Sequence, residues 1–172
     1  MAWFWIENSD ETLPYVMYDN RINVVQSHDL TTNTKYIKCN EKLHLTLERN
    51  QQSNFPDLHS LHSSLNCPLV DGVTVDLIKE YVNKNDFQLF STELYNKKKF
   101  ITDKYKFVKP LREIDGIDFT QTKIKDWVLP DIYFQRYETL RLKDNCLGNF
   151  HYARLKYSRH ILISDTLKQK LE

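Results

Sequence analysis

Glycine is almost missing from this chain, with 3 in 172 residues. That scarcity argues against phosphate-cradling loops, dinucleotide-binding turns and tight primed hairpins, all of which lean on glycine to reach φ > 0. Cysteine is equally thin. Cys39, Cys67 and Cys146 are odd in number and far apart. They form neither a Cys-x-x-Cys pair nor a disulfide framework, and read as reduced thiols in or near a core. No apolar run approaches the roughly 18 residues of a membrane span. The N-terminal stretch, Met1 to Glu7, has no basic opening and no long apolar segment, so no signal peptide is expected. A cytoplasmic protein is the expectation.

What is present is ordinary in bulk and unusual in detail. Apolar residues make up 41% and charged residues 27%, a globular balance that argues against disorder. The length suits one domain over 1–172, able to bury about two-thirds of its unfolded surface without a disulfide or metal. Aromatics are abundant, with 10 Tyr, 9 Phe and 3 Trp, which suits a strand-rich fold or a sticky binding face. Net charge is +1 but uneven. Residues 1–86 hold 7 Lys+Arg against 12 Asp+Glu (7 − 12 = −5), and residues 87–172 hold 17 against 11 (17 − 11 = +6). The asymmetry points to a charged partner for one face, or to two surfaces that fold together and cancel.

Local patterns place the elements. Residues 2–7, with Trp3, Phe4 and Trp5, read as a strand, residues 8–11 as a polar turn, and Tyr15 to Tyr18 as a second strand. Over 41–49, Leu43, Leu45 and Leu47 alternate with His44, Thr46 and Glu48, the period-2 signature of a half-buried strand. Residues 50–54 are a loop, separating a strand-rich part (1–50) from the rest (56–172). Asp57 caps a short helical turn carrying Leu58, Leu61 and Leu65. A helix follows over 74–84, capped by Asp71 or Thr74, with Val75, Ile78 and Val82 as its apolar stripe. Strands are expected at 87–90, 105–109, 131–142, 150–155 and 160–164, with a last helix from Ser164 through Leu167 and Leu171. Strict β-α alternation is absent, so the fold class is α+β: mostly antiparallel strands, a few short helices, no doubly wound parallel sheet.

No catalytic group, cofactor or metal emerges. His59 and His62 fit one helical face, yet without a second ligand pair they read as solvent-facing. Cys146 near His151 is an incidental neighbour, and without a Gly-x-Ser-x-Gly turn no nucleophile is presented. Asp115 and Asp118 read as turn residues. The basic-aromatic stretch 95–109, with Tyr95, Lys97, Lys98, Lys99, Lys104, Tyr105, Lys106, Phe107 and Lys109, has the ingredients of a single-strand platform. A near-neutral pI and a lysine triplet between strands leave nucleic-acid binding the lesser reading.

Several of these segments carry a resemblance. Pro68-Leu69-Val70 before the helix, Phe87 to Phe90, Tyr105 to Val108, Ile114 to Asp118, Phe150 to Leu155 and Ile161 to Ser164 resemble a family of small bacterial proteins. These are immunity proteins of polymorphic toxin systems, a domain-of-unknown-function family first named from a myxobacterial member. Two places depart from it: Lys109-Pro110 stands where an Asn is usual, and Val70-Asp71 where a Ser opens the helix. The resemblance implies a protein that binds and neutralises a cognate antibacterial toxin, delivered by contact-dependent or type VI secretion, without catalysis. It implies a toxin domain as partner, and neither a cofactor nor a membrane. The expected contact residues lie where the chain leaves the family pattern: Asp10, Glu11 and Asp19 in acidic turns, and Tyr95, Lys97, Lys98 and Lys99 in the basic-aromatic loop. The acidic first half would suit a basic toxin face such as that of a nuclease.

Overall fold

The computed structural model describes residues 1–5, 14–48, 58–127 and 135–172. Along the chain come β1 (Ala2–Trp5), β2 (Tyr15–Tyr18), α1 (Ser27–Thr31), β3 (Leu43–Leu47), β4 (Ser60–Ser63), β5 (Leu69–Val70) and α2 (Gly72–Tyr81). There follow β6 (Phe87–Asn96), β7 (Lys99–Thr102), β8 (Lys106–Pro110), β9 (Glu113–Ile114), β10 (Lys123–Trp127) and β11 (Gln135–Thr139). β12 (Tyr152–Leu155), β13 (Ile161–Ser164) and α3 (Asp165–Leu171) complete the described elements. The class is α+β with antiparallel pairing dominant, as the patterns predict.

Strand order β3-β2-β4-β5-β8-β6 would be an open sheet, but β6 also pairs with β3, which closes the six into a small barrel. The closing pair is parallel, with Leu43 opposite Thr92 and Leu45 opposite Leu94. Alternation decides which side chains enter. Leu43, Leu45 and Leu47 are buried, as are Val16 and Tyr18 from β2, Leu61 from β4, and Phe90 and Leu94 from β6. Each such aliphatic is worth about 2 kcal/mol in transfer from water, so the period-2 pattern in itself selects the register.

A second core lies between barrel, helices and the four-stranded sheet β1-β13-β12-β9. There Val75, Ile78 and Val82 meet Val70, Val108, Tyr152, Ile163 and Leu167. Asp71 caps α2, its Oδ1 accepting from the Thr74 N–H at 3.0 Å, and Ser164 caps α3, accepting from Leu167 N–H at 3.1 Å. The other face of that sheet packs Ala153, Leu155 and Leu162 on Ile117 and Leu147.

Three local expectations need correction. The helical turn expected over Leu58, Leu61 and Leu65 is strand β4 instead. Leu61, Ser63 and Leu65 are all buried, a period of two that serves pairing with β2 and β5, and the sheet outweighs the weak helical spacing. A tight hairpin does form without glycine. Asn96 pairs with Lys99 across Lys97-Lys98, and Lys97 adopts φ 56. Helix α2 stops at Tyr81, because Val82 turns to extended backbone at φ −107 and ψ 130. Of the strand expected at 131–142, residues 135–139 form β11, paired with β10, and 131–134 lie outside the described residues. The turn at 8–11, the loop at 50–54 and Asp57 lie outside the described residues.

A candidate partner-binding surface on the barrel exterior

Because Leu43, Leu45 and Leu47 point inward, His44 and Thr46 face out. The same parity turns Tyr15 and Met17 out of β2, and Glu93 and Tyr95 out of β6. Register then aligns them. Met17 lies opposite Thr46, Thr46 opposite Tyr95, and Tyr95 opposite Phe100, one row across β2, β3, β6 and β7. The His44 ring stacks on Tyr95 with centroids 4.2 Å apart and planes 18° apart, and Phe100 meets the Tyr95 ring edge-on at 5.7 Å. Tyr15 packs on His62 at 4.9 Å beside this row. Phe100 is 49% exposed and Met17 38%, so the row presents apolar surface to solvent.

Charge frames the rings. Lys42 Nζ bridges Asp103 at 3.0 Å and Glu93 at 3.2 Å, while the Tyr95 hydroxyl donates to Glu93 Oε2 at 2.8 Å. The Tyr95 bond, then Lys42, holds the Glu93 carboxyl below its ordinary value, and Glu93 in turn raises the Tyr95 phenol. Both carboxylates are therefore spoken for. Lys97, Lys98 and Lys99 are not: all three are exposed at the hairpin tip, and none pairs with a carboxylate among the described residues.

Of the expected contact residues, Tyr95, Lys97, Lys98 and Lys99 fall on this one hairpin. Asp19 joins the neighbourhood indirectly. Its turn is tied to β3 through Asn23, whose Nδ2 donates to the Asp19 and His44 carbonyls at 3.0 and 2.9 Å. Asp19 itself is clamped by Arg21 at 2.7 Å, which pulls its carboxyl down to about 2. Asp10 and Glu11 lie outside the described residues. The sequence reading missed His44, Thr46, Met17 and Phe100. The alternation over 41–49 already placed His44 and Thr46 outside, but nothing local showed that β3 would lie beside Tyr95.

The other candidates separate. His59 contacts Asp71 Oδ2 at 2.9 Å and His62 contacts Tyr15, so the two imidazoles serve different neighbours. His151 Nδ1 sits 2.8 Å from Ser164 Oγ, in a cleft of about 390 Å³ beside Gly148 and Phe150. That hydroxyl already serves as the cap of α3. No group of three or more His, Cys, Asp or Glu among the described residues is placed to hold a metal. Among them, too, no helix is long and apolar enough to cross a membrane. Within 95–109, Tyr105 and Phe107 are core residues at 1% and 0% exposure, and Lys109 is fully buried.

The strand-rich barrel thus carries an aromatic exterior row beside three exposed lysines that have no carboxylate partner among the described residues. The chain belongs to the Imm11 immunity protein family, whose model matches residues 7–172. The match extends through the N-terminal part, well beyond the segments that carry the resemblance in the sequence. Membership implies a role in toxin immunity, with a toxin as partner in general terms. No curated protein matches the chain.

Proposed function

We propose that the protein is a stoichiometric inhibitor of a cognate antibacterial toxin, delivered by contact-dependent or type VI secretion. It acts in the cytoplasm as one domain, by covering the toxin's working surface and without catalysing a reaction. The observation that carries this reading is the exterior row Met17, Thr46, Tyr95 and Phe100 beside Lys97, Lys98 and Lys99, which pair with no carboxylate among the described residues. Tight interfaces concentrate their energy in a few aromatic anchors, while complementary charge speeds encounter and excludes wrong partners. The geometry changes which charge matters. Asp19 pairs with Arg21, and Glu93 and Asp103 share Lys42 at a net charge of −1, so with Lys97, Lys98 and Lys99 the surface is net basic and the toxin face it fits is acidic.

The test is co-expression with the C-terminal domain of the polypeptide encoded immediately upstream. Rescued growth and an isolable complex are expected. Replacing Tyr95 and Phe100 together by Ala should weaken binding by about thirtyfold or more, the cost of losing anchor residues, with little change in thermal stability. Absence of both complex and rescue would refute the proposal.

The basic tip also keeps nucleic-acid binding as an alternative. That reading loses its stacking pair, since Tyr105 and Phe107 are in the core and one face of Tyr95 is covered by His44. A salt-dependent mobility shift with single-stranded oligonucleotides would restore it.

A further inference from the structure

We propose that the free edge of β7 receives an acidic, extended segment of the toxin as an added strand. This rests on the immunity reading above and specifies how the partner docks. β7 pairs with β6 on one side and, among the described residues, with no strand on the other. Its outer side therefore carries backbone N–H and C=O groups without ladder partners, a ready template for a strand from another chain. Folds usually blunt such edges, and lysine is a favoured means. Here Lys97, Lys98 and Lys99 crowd the start of β7.

The choice of charge selects the occupant. A second copy of this chain would bring two lysine triplets together in parallel register, and in antiparallel register would offer each triplet only Asp103, which Lys42 already holds. An acidic strand meets a smaller barrier, because Glu93 and Asp103 share Lys42 and the trio leaves one net negative charge against the three lysines. A register shift between Phe100 and Thr102 leaves the exterior pattern of β7 regular only at its start. Phe100 stands on the exterior face against Tyr95, and Ile101 turns to pack on the barrel core. An incoming strand would lay every second side chain along Phe100, extending the exterior row by one strand. Main-chain bonds would supply affinity, and the lysines and Phe100 selectivity.

Two measurements decide this separately from the immunity reading. The first titrates the isotope-labelled full chain at low salt with a short capped peptide alternating Glu and Val, and with its Lys–Val counterpart. Amide shifts concentrated on residues 99–102, given by the Glu–Val peptide alone and abolished in Lys98→Glu/Lys99→Glu, are expected. No shifts up to millimolar peptide, shifts elsewhere, or equal response to both peptides would overturn the proposal. The second follows amide hydrogen exchange in the complex with the upstream-encoded domain. Exchange slowed severalfold or more across Phe100 to Thr102 supports strand addition, and a stable complex without that slowing overturns it. If no complex forms, the immunity reading fails, and the peptide titration still judges the edge.

Discussion

Lys109 gives the sharpest test of the fold's energetics. It is fully buried at the end of β8, and its ammonium donates to the Lys35 carbonyl. Arg154 on β12 is 1% exposed and donates through Nη2 to the Leu30 carbonyl at 3.1 Å, while its Nε and Nη1 meet no acceptor among the described residues. Neither cation forms an ion pair with a described carboxylate. The reason for burying them lies at the end of α1 and in residues 32–37 after it, an irregular stretch whose carbonyls have no ladder of their own. Gln88 completes the set, bonding both the N–H and the carbonyl of Ile37. Three polar side chains thus satisfy a segment that secondary structure does not.

Burial, then the charge of Arg154, lowers the Lys109 ammonium from 10.5 to about 8. Between those values the unfolded chain binds more protons than the folded one, so stability must rise with pH there. The penalty is fully present below pH 8 and is relieved as pH climbs towards 10.5. At pH 9 the relief is on the order of 1 kcal/mol, and at pH 7 it is close to zero. Urea unfolding should therefore show wild type gaining roughly 1 kcal/mol between pH 7 and 9 relative to Lys109→Met. Above that range the buried phenols of Tyr18 and Tyr105, both raised by burial, titrate only on unfolding and erode stability. The comparison therefore stops at pH 9. The slope is the readout because the absolute change is ambiguous. Relieving the burial of the ammonium returns about a few kcal/mol, yet orphaning the Lys35 carbonyl costs about 1–3. Arg154→Met should move the rise to higher pH. A constant difference between wild type and Lys109→Met from pH 7 to 9 would refute the reasoning.

Asp71→Ala should cost about 1–2 kcal/mol by uncapping α2, whereas Asp71→Asn keeps the cap and costs less, both read by thermal melting. Burial alone would raise the Asp71 carboxyl, but the Thr74 N–H and His59 hold it below its ordinary value. Its contribution is therefore present above the ordinary carboxylate range and lost as pH falls through the lowered value. At Gly116 a Cβ would lie 3.1 Å from Cys146 Cβ and 3.2 Å from Leu155 Cδ1, so Gly116→Ala should destabilise by about 1–3 kcal/mol in urea. Leu94→Ala, inside the barrel behind Tyr95, should lose about 2–5 kcal/mol and also weaken toxin binding, while Phe100→Ala should weaken binding alone. Calorimetry of binding beside thermal melts separates the two outcomes.

What the sequence made legible was local. Leu43, Leu45 and Leu47 announce β3, the Val75, Ile78 and Val82 stripe with Asp71 announces α2, and Ile161 to Leu171 announces the closing strand and helix. Period and capping act over a few residues, so they survive without knowledge of neighbours. The misreading of Leu58, Leu61 and Leu65 arose where both periods fit and only flanking strands could decide. β7 was missed because Lys97, Lys98 and Lys99 read as loop, which is how a charged edge strand looks from sequence. Of the candidate surface, the hairpin half was legible from composition and family departure. The His44 half was not.

That missing half traces to one contact, the parallel pairing of β3 with β6 between residues almost fifty apart in the chain. It costs loop-closure entropy and offers no sequence signal, yet the barrel exists only because Leu45 and Leu94 meet inside it. The same pairing sets His44 on Tyr95 outside. Core and surface are therefore two faces of a single register. A one-residue slip between β3 and β6 would expose the leucines and bury the polar row at once. Selection for a closed core thereby holds the exterior rings in fixed positions. A surface held in that way has little conformational freedom left to lose on binding, which favours affinity from a small number of contacts. The lysine tip lies beyond the closed ring, so its charges can vary at little cost to the core. Partner selectivity can then change on the hairpin while the stacked His44 and Tyr95 stay in place.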